Sequence, residues 1–201
     1  MSEGKVVQLH GADDASLVVR ARAGDRGAFG QLFERHVRAV VRLLSRILGH
    51  DADVPDLANE VLLLAWQRLD EVDDEARFGA FLSGVCVNVA RNRLRSRRRR
   101  KWLVFGAPEA DVPVAESTDA REALGATFAV LKTMEEHLRI CFSLRYLDGR
   151  ELTEVAELMN VSLATIKRWL QRADGVFLEK ARGHRALQPW LDAGSRWGGV
   201  A

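Results

Sequence analysis

Phe29-Gly-Gln-Leu-Phe-Glu-Arg-His-Val-Arg-Ala-Val-Val-Arg-Leu-Leu-Ser-Arg-Ile-Leu48 decides the fold class. Its apolar residues Phe29, Leu32, Phe33, Val37, Val40, Val41, Leu44, Ile47 and Leu48 recur at steps of three and four, with arginines on the opposite side. That is the period of an amphipathic helix and not the alternation of a strand. Gly49 stops it. Arg38, Arg42 and Arg46 interrupt the segment too often for it to cross a bilayer.

The same period continues outward. Asp53 stands at an N-cap position, Pro55 falls in the first turn of the next helix, and Val61, Leu64, Ala65 and Leu69 give that helix its apolar stripe. A third helix spans about Phe78–Arg98, with Phe78, Phe81, Leu82, Val85 and Val89 inward. The pattern fails over 101–119, where Pro108 and Pro113 fall, so this stretch reads as a flexible linker. At about 3.3 Å per residue it reaches at most ~60 Å. Helices resume at Arg121–Lys132, Glu135–Leu147, Glu151–Met159 and Ser162–Ala173, the last extending toward Arg182. No alternating run with hairpin signals occurs, and the expectation is an all-α chain of two small helical domains.

Net charge is only +2, but its distribution is uneven. Residues 51–75 carry nine acids against one base, and residues 91–101 carry eight bases and no acid. Blocks separated in this way point to two differently charged partners. Cys86 and Cys141 lie far apart in apolar helical patterns, which fits buried thiols and neither a disulfide framework nor a zinc site. With no apolar run of signal-peptide length at Met1–His10, the expected location is the cytoplasm.

The most specific local pattern is Tyr146–Arg172. Gly149 suits a left-handed helix end, Asn160 a left-handed turn, Val161 can plug the corner, and Ser162 can cap a second helix. On that helix Ile166 and Leu170 point inward, while Ala164, Thr165, Lys167, Arg168, Gln171 and Arg172 point outward. Small residues followed by cations suit a recognition helix in the major groove. The bland alternative is a helical hairpin with a solvated basic face. Trp169, beside Ile166 and Leu170, is expected to pack.

Three further segments stand ahead of this motif in order: Ala21-Arg-Ala-Gly-Asp-Arg-Gly-Ala-Phe-Gly-Gln-Leu-Phe33, Asp53-Val-Pro-Asp-Leu-Ala-Asn-Glu-Val-Leu-Leu-Leu-Ala-Trp66, and Phe78-Gly-Ala-Phe-Leu-Ser-Gly-Val-Cys-Val-Asn-Val-Ala-Arg-Asn-Arg-Leu-Arg95 running into the basic Arg97–Lys101. Together with the helix-turn-helix, the series resembles the extracytoplasmic-function (ECF) group of the sigma-70 family over about residues 15–182. The resemblance implies a region 2-like domain at 15–100, after an extension at 1–14, and a region 4-like domain at 120–183. A tail, 184–201, has no implied role.

The resemblance also implies roles. Asp53, Asp56, Leu57, Glu60 and Trp66 would dock on RNA polymerase core enzyme. Phe81, Asn88, Arg91, Asn92 and Arg95 would read and hold the melted −10 element. Ser162, Ala164, Thr165, Lys167, Arg168, Gln171 and Arg172 would contact the −35 element. An anti-sigma factor is a further candidate partner. The chemistry of these residues agrees. Asp56 and Glu60 lie one turn apart beside apolar residues, a charged rim suited to a basic protein surface. Asn can read an unpaired base edge, and Arg can hold phosphate or stack on a base.

Some positions depart from the family pattern: Phe81 stands where Trp is usual, Asn59 where Gln is usual, Trp169 where Arg is frequent, and Asp174 where a base is common. Two other readings compete. A dimeric helix-turn-helix regulator would leave the acidic helix without a use. An enzyme using the acidic cluster would need a nucleophile, base or metal constellation. No HExxH or comparable spacing supplies one, with His36 and His50 included. The expectation is a transcription factor without catalytic activity, cofactor or metal.

Overall fold

The structure is a computed structural model that describes residues 11–49, 51–103 and 118–192. Every regular element among them is helical. Internal packing divides the described residues into two compact units, the first taking those up to 44 and 53–89, the second those of 45–52 and from 90 onward.

The first unit opens on a helix that periodicity did not single out, α1 (Gly11–Arg22). Leu17, Val18 and Ala21 bury its inner face. Helix α2 (Arg26–Leu48) begins at Asp25, whose Oδ1 accepts the Ala28 N–H at 3.0 Å. The buried ridge of α2 runs Ala28, Leu32, His36, Val40, Leu43, Leu44, Ile47. The ridge is therefore rotated from the expected stripe: Phe29, Phe33, Val37 and Val41 sit half-buried at its edge, and His36 takes the central slot at 1% exposure. The imidazole can sit there because its Nε2 is 2.8 Å from Oδ2 of the buried Asp14 on α1. Arg35 Nη1 donates to the other oxygen of Asp14 at 3.0 Å, so the carboxylate is satisfied from both sides. Asp14 thus belongs to the folded unit and not to an extension.

Helix α3 (Val54–Gln67) carries Pro55 in its first turn, as expected, but the Asp53 side chain makes no capping hydrogen bond. Val54, Leu57, Ala58, Val61, Leu62 and Ala65 form its inner face. Two short 3-10 turns, Leu69–Glu71 and Glu75–Arg77, lead to α4 (Phe78–Leu103). One side chain from α1 organises this connection. Arg22 donates from Nε to the Leu69 carbonyl at 3.2 Å, from Nη1 to Glu75 Oε1 at 2.5 Å, and from Nη2 to the Val72 carbonyl. Phe78, Leu82, Val85, Cys86 and Val87 bury the first half of α4, while Phe81 is only half-buried, 6.2 Å from the Phe78 ring.

The expected linker is shortened at both ends. Residues 101–103 belong to α4, Thr118 and Asp119 open α5 (Thr118–Leu131), and 104–117 lie outside the described residues.

In the second unit, α5 is followed by α6 (Glu136–Phe142), which widens into a π turn over Ser143–Leu147 instead of continuing as regular helix. Then come α7 (Leu152–Met159) and α8 (Leu163–Ala181). The core gathers Phe128, Leu131, Leu138, Phe142, Ala173, Phe177 and Ala181, with Phe142 and Phe177 stacked at 4.8 Å. Part of the unassigned tail completes it. A 3-10 turn, Arg185–Leu187, buries Leu187, and Leu191 of α9 (Gln188–Asp192) packs alongside. Arg139, itself buried, donates to the carbonyls of Ile47 and Leu48 at 2.9 and 2.8 Å, satisfying acceptors that the end of a helix leaves open. Gly49 ends α2 at φ +74°, and a Cβ there would lie 2.9 Å from the Phe128 ring, so only glycine fits. Both cysteines are buried thiols outside any disulfide, and burial pushes the Cys141 thiol up to about 12.

Candidate nucleic-acid and protein interfaces

The outward face of α3 is Asp56, Asn59, Glu60, Leu63 and Gln67, all exposed. Of the residues expected on a docking surface, one is buried and two are half-buried. Leu57 points into the core with Val61, because it is one turn from Val54 on the buried side. Trp66 is half-buried, its ring tilted against Phe29 at 4.6 Å. Asp53 is half-buried at the start of the helix. The exposed apolar residue on this face is instead Leu63, at 57%. It lies one turn after Glu60 and two after Asp56. The run Leu62-Leu63-Leu64 concealed which of the three faces out.

On α4, Asn88, Asn92 and Arg95 are exposed and Arg91 is half-buried, so the expected face exists as a helical stripe. Burial lowers the pKa of the Arg91 guanidinium, with the Arg95 charge as the next cause and Glu136 opposing both. Arg95 Nε is 2.8 Å from Glu136 Oε1. The basic run beyond it is partly consumed in the fold. Asp51, buried, takes Arg97 at 2.7 Å and Arg93 at 3.4 Å, leaving Arg98 and Arg99 as its exposed members among the described side chains.

The helix-turn-helix is built as its sequence predicts. Gly149 sits at φ +74°, and Asn160 ends α7 at φ 54°, ψ 52°. The Val161 N–H bonds the Ala156 carbonyl at 3.0 Å. Ser162 caps α8, its hydroxyl accepting the Thr165 N–H at 3.2 Å. Ile166 and Leu170 are fully buried; Ala164, Lys167, Arg168, Gln171 and Arg172 are exposed. Thr165 departs from expectation. It is half-buried and its hydroxyl lies 2.9 Å from that of Ser162, so this pair shapes the helix start. Trp169 packs against the core, 4.6 Å from the His137 ring, as its neighbours predict. Arg172 pairs with Glu135 at 2.7 Å, both side chains remaining exposed. Beneath the helix, Tyr146 donates its hydroxyl to Asp174 Oδ2 at 2.9 Å, while Asp174 Oδ1 is buried with no hydrogen-bond partner among the described residues. Burial pushes the Asp174 carboxyl up to about 6 against the opposing Tyr146 bond.

No group of three or more His, Cys, Asp or Glu side chains among the described residues could hold a metal ion. No helix among them is long and apolar enough to cross a membrane.

Comparison with known proteins gives the same order of parts. Residues 32–100 match sigma-70 region 2, and residues 126–173 match sigma-70 region 4. The ECF RNA polymerase sigma-E factor of Escherichia coli K12 is 29% identical over 178 residues, covering 80% of this chain and 90% of that protein. The sigma-E factor of Haemophilus influenzae is 28% identical over 172 residues with the same coverage. Among solved structures, CnrH in complex with the cytosolic domain of CnrY aligns over 91% of this chain at a TM-score of 0.59 and 23% identity. The sigma factor RpoE of Bartonella quintana, solved with the anti-sigma factor NepR, aligns over 78% at 0.59 and 19% identity. With region 2 and region 4 matched in order, and the curated relatives covered over nine-tenths of their length, this chain belongs to the sigma-70 family as a sigma factor of the ECF group.

Proposed function

We propose that the chain performs its sigma-factor role through three separate faces. The outer side of α3, with Asp56, Glu60 and Leu63, docks on a basic surface of core polymerase. The stripe Asn88, Arg91, Asn92 and Arg95 on α4, with Phe81 near the helix start, holds the −10 element once its strands part. The exposed face of α8 reads the −35 element as duplex. The protein starts transcription and has no catalytic step of its own; the polymerase does the chemistry. An anti-sigma factor is a candidate regulator.

The observation that carries this reading is the capped, solvent-facing α8. Its buried side is fully used by Ile166 and Leu170, and its outer side presents Ala164, Lys167, Arg168 and Gln171 to a groove. The acidic α3 face supports the polymerase arm, because acids repel phosphate and suit a basic protein partner. In vitro transcription with core polymerase and a genomic fragment library tests the whole. Transcripts that start at a common pair of upstream elements only when this protein is added are the expected result. Core enzyme that initiates identically with and without the protein would overturn the reading.

A further inference from the structure

Leu163 is the first residue of α8 and is 38% exposed, one of four large hydrophobic side chains so exposed among the described residues. Nothing local requires leucine there. The helix start is held by the Ser162–Thr165 pair, and the side chains that enter the buried core there are Ile166 and Leu170, with Leu163 outside it. An apolar side chain left in water is informative when its neighbours identify what covers it. Here Ala164 adjoins it, and Lys167, one turn on, and Arg168 follow, both exposed. These cations beside a helix N-terminus suit a polyanion, and a recognition helix meets base edges with its N-terminal residues. In the major groove the one apolar group on any base edge is the 5-methyl of thymine.

We infer that Leu163, with Ala164 beside it, is a specificity-determining residue that reads thymine methyl groups in the upstream promoter element. The inference rests on α8 being the −35-reading helix. Leu163 then supplies sequence preference, while Lys167 and Arg168 supply affinity without sequence information.

The test removes the methyl and nothing else. Promoter duplexes are recovered by transcription selection with holoenzyme assembled from core polymerase and the full chain. Each thymine of the upstream element is then replaced by deoxyuridine. Binding of native holoenzyme should fall about three- to fivefold at one or two positions, the range expected when a single methyl group is no longer buried. Leu163→Ala holoenzyme should bind the thymine and uracil duplexes equally. Because Leu163 lies outside the buried core, the variant should keep its native helix content, read by far-UV circular dichroism. Equal binding of thymine and uracil duplexes by the native protein overturns the inference, as does discrimination that survives in Leu163→Ala, or a selected element without thymine. A Lys167→Ala/Arg168→Ala variant separates this failure from that of the underlying reading. If it lowers upstream binding while uracil has no effect, α8 still reads DNA and Leu163 does not. If neither matters, both ideas fall.

Discussion

Replacing Asp174 by Asn should stabilise this protein near neutral pH and do nothing in acid. The carboxyl sits under α8 with Oδ2 accepting the Tyr146 hydroxyl at 2.9 Å and Oδ1 buried without a partner among the described residues, and burial raises its pKa from 3.8 to about 6. A carboxyl whose folded-state pKa lies above its unfolded value binds its proton more tightly when folded. Its favourable contribution is therefore complete below about pH 4 and is lost as pH rises through about 6. A shift of about two units at ~1.4 kcal/mol each sets a ceiling of about 3 kcal/mol on the cost of ionising Asp174 at pH 7.5. Partial access to water reduces this to about 1–2 kcal/mol. Asn keeps an acceptor for the Tyr146 hydroxyl and has no charge to desolvate. At about 2–4 °C per kcal/mol for a chain of this size, Asp174→Asn should melt some 2–8 °C above the native protein at pH 7.5, with the two curves converging near pH 4. Thermal unfolding by circular dichroism at half-unit pH steps measures this. A difference in melting temperature independent of pH, or a native protein no less stable at pH 7.5 than the variant, would refute the reasoning.

Asp56→Arg with Glu60→Arg should abolish co-purification with core polymerase while far-UV spectra stay native, since both side chains are exposed and like charges opposed at an interface cost several kcal/mol, on the order of a thousandfold in affinity; a folded variant that still competes for core places the docking face elsewhere. Lys167→Ala with Arg168→Ala should weaken upstream binding about equally on all sequences and lower the slope of log K against log salt by about one for each phosphate no longer neutralised, and an unchanged slope would count against the assignment. Arg22→Ala should destabilise the first unit by about 2–4 kcal/mol, because the bonds to two carbonyls and to Glu75 are lost together. Chemical denaturation reads that loss, and a change below about 0.5 kcal/mol would show that the 68–77 connection holds its own shape.

The sequence by itself determined the helical class, the order of the two family regions, and the design of the helix-turn-helix. These are local properties. Periods of three and four, a glycine or asparagine at a left-handed position and a serine cap each depend on residues within a turn or two. Even Trp169 was readable, because Ile166 and Leu170 fix the inward side of its helix. The features that sequence left open depend on partners distant along the chain. The buried ridge of α2 passes through His36, whose Nε2 is partnered by Asp14, twenty-two residues earlier. Leu57 went to the core and Leu63 to the surface because neighbouring helices decide which part of an apolar run is covered. Arg22 grips carbonyls some fifty residues away, and Asp51 draws Arg93 and Arg97 out of what looked like a free basic run. A periodic pattern gives a helix an apolar side only to within about one residue's rotation. The choice among adjacent apolar residues, and the pairing of buried charges, is made by packing and by the cost of leaving a polar group in the core unsatisfied.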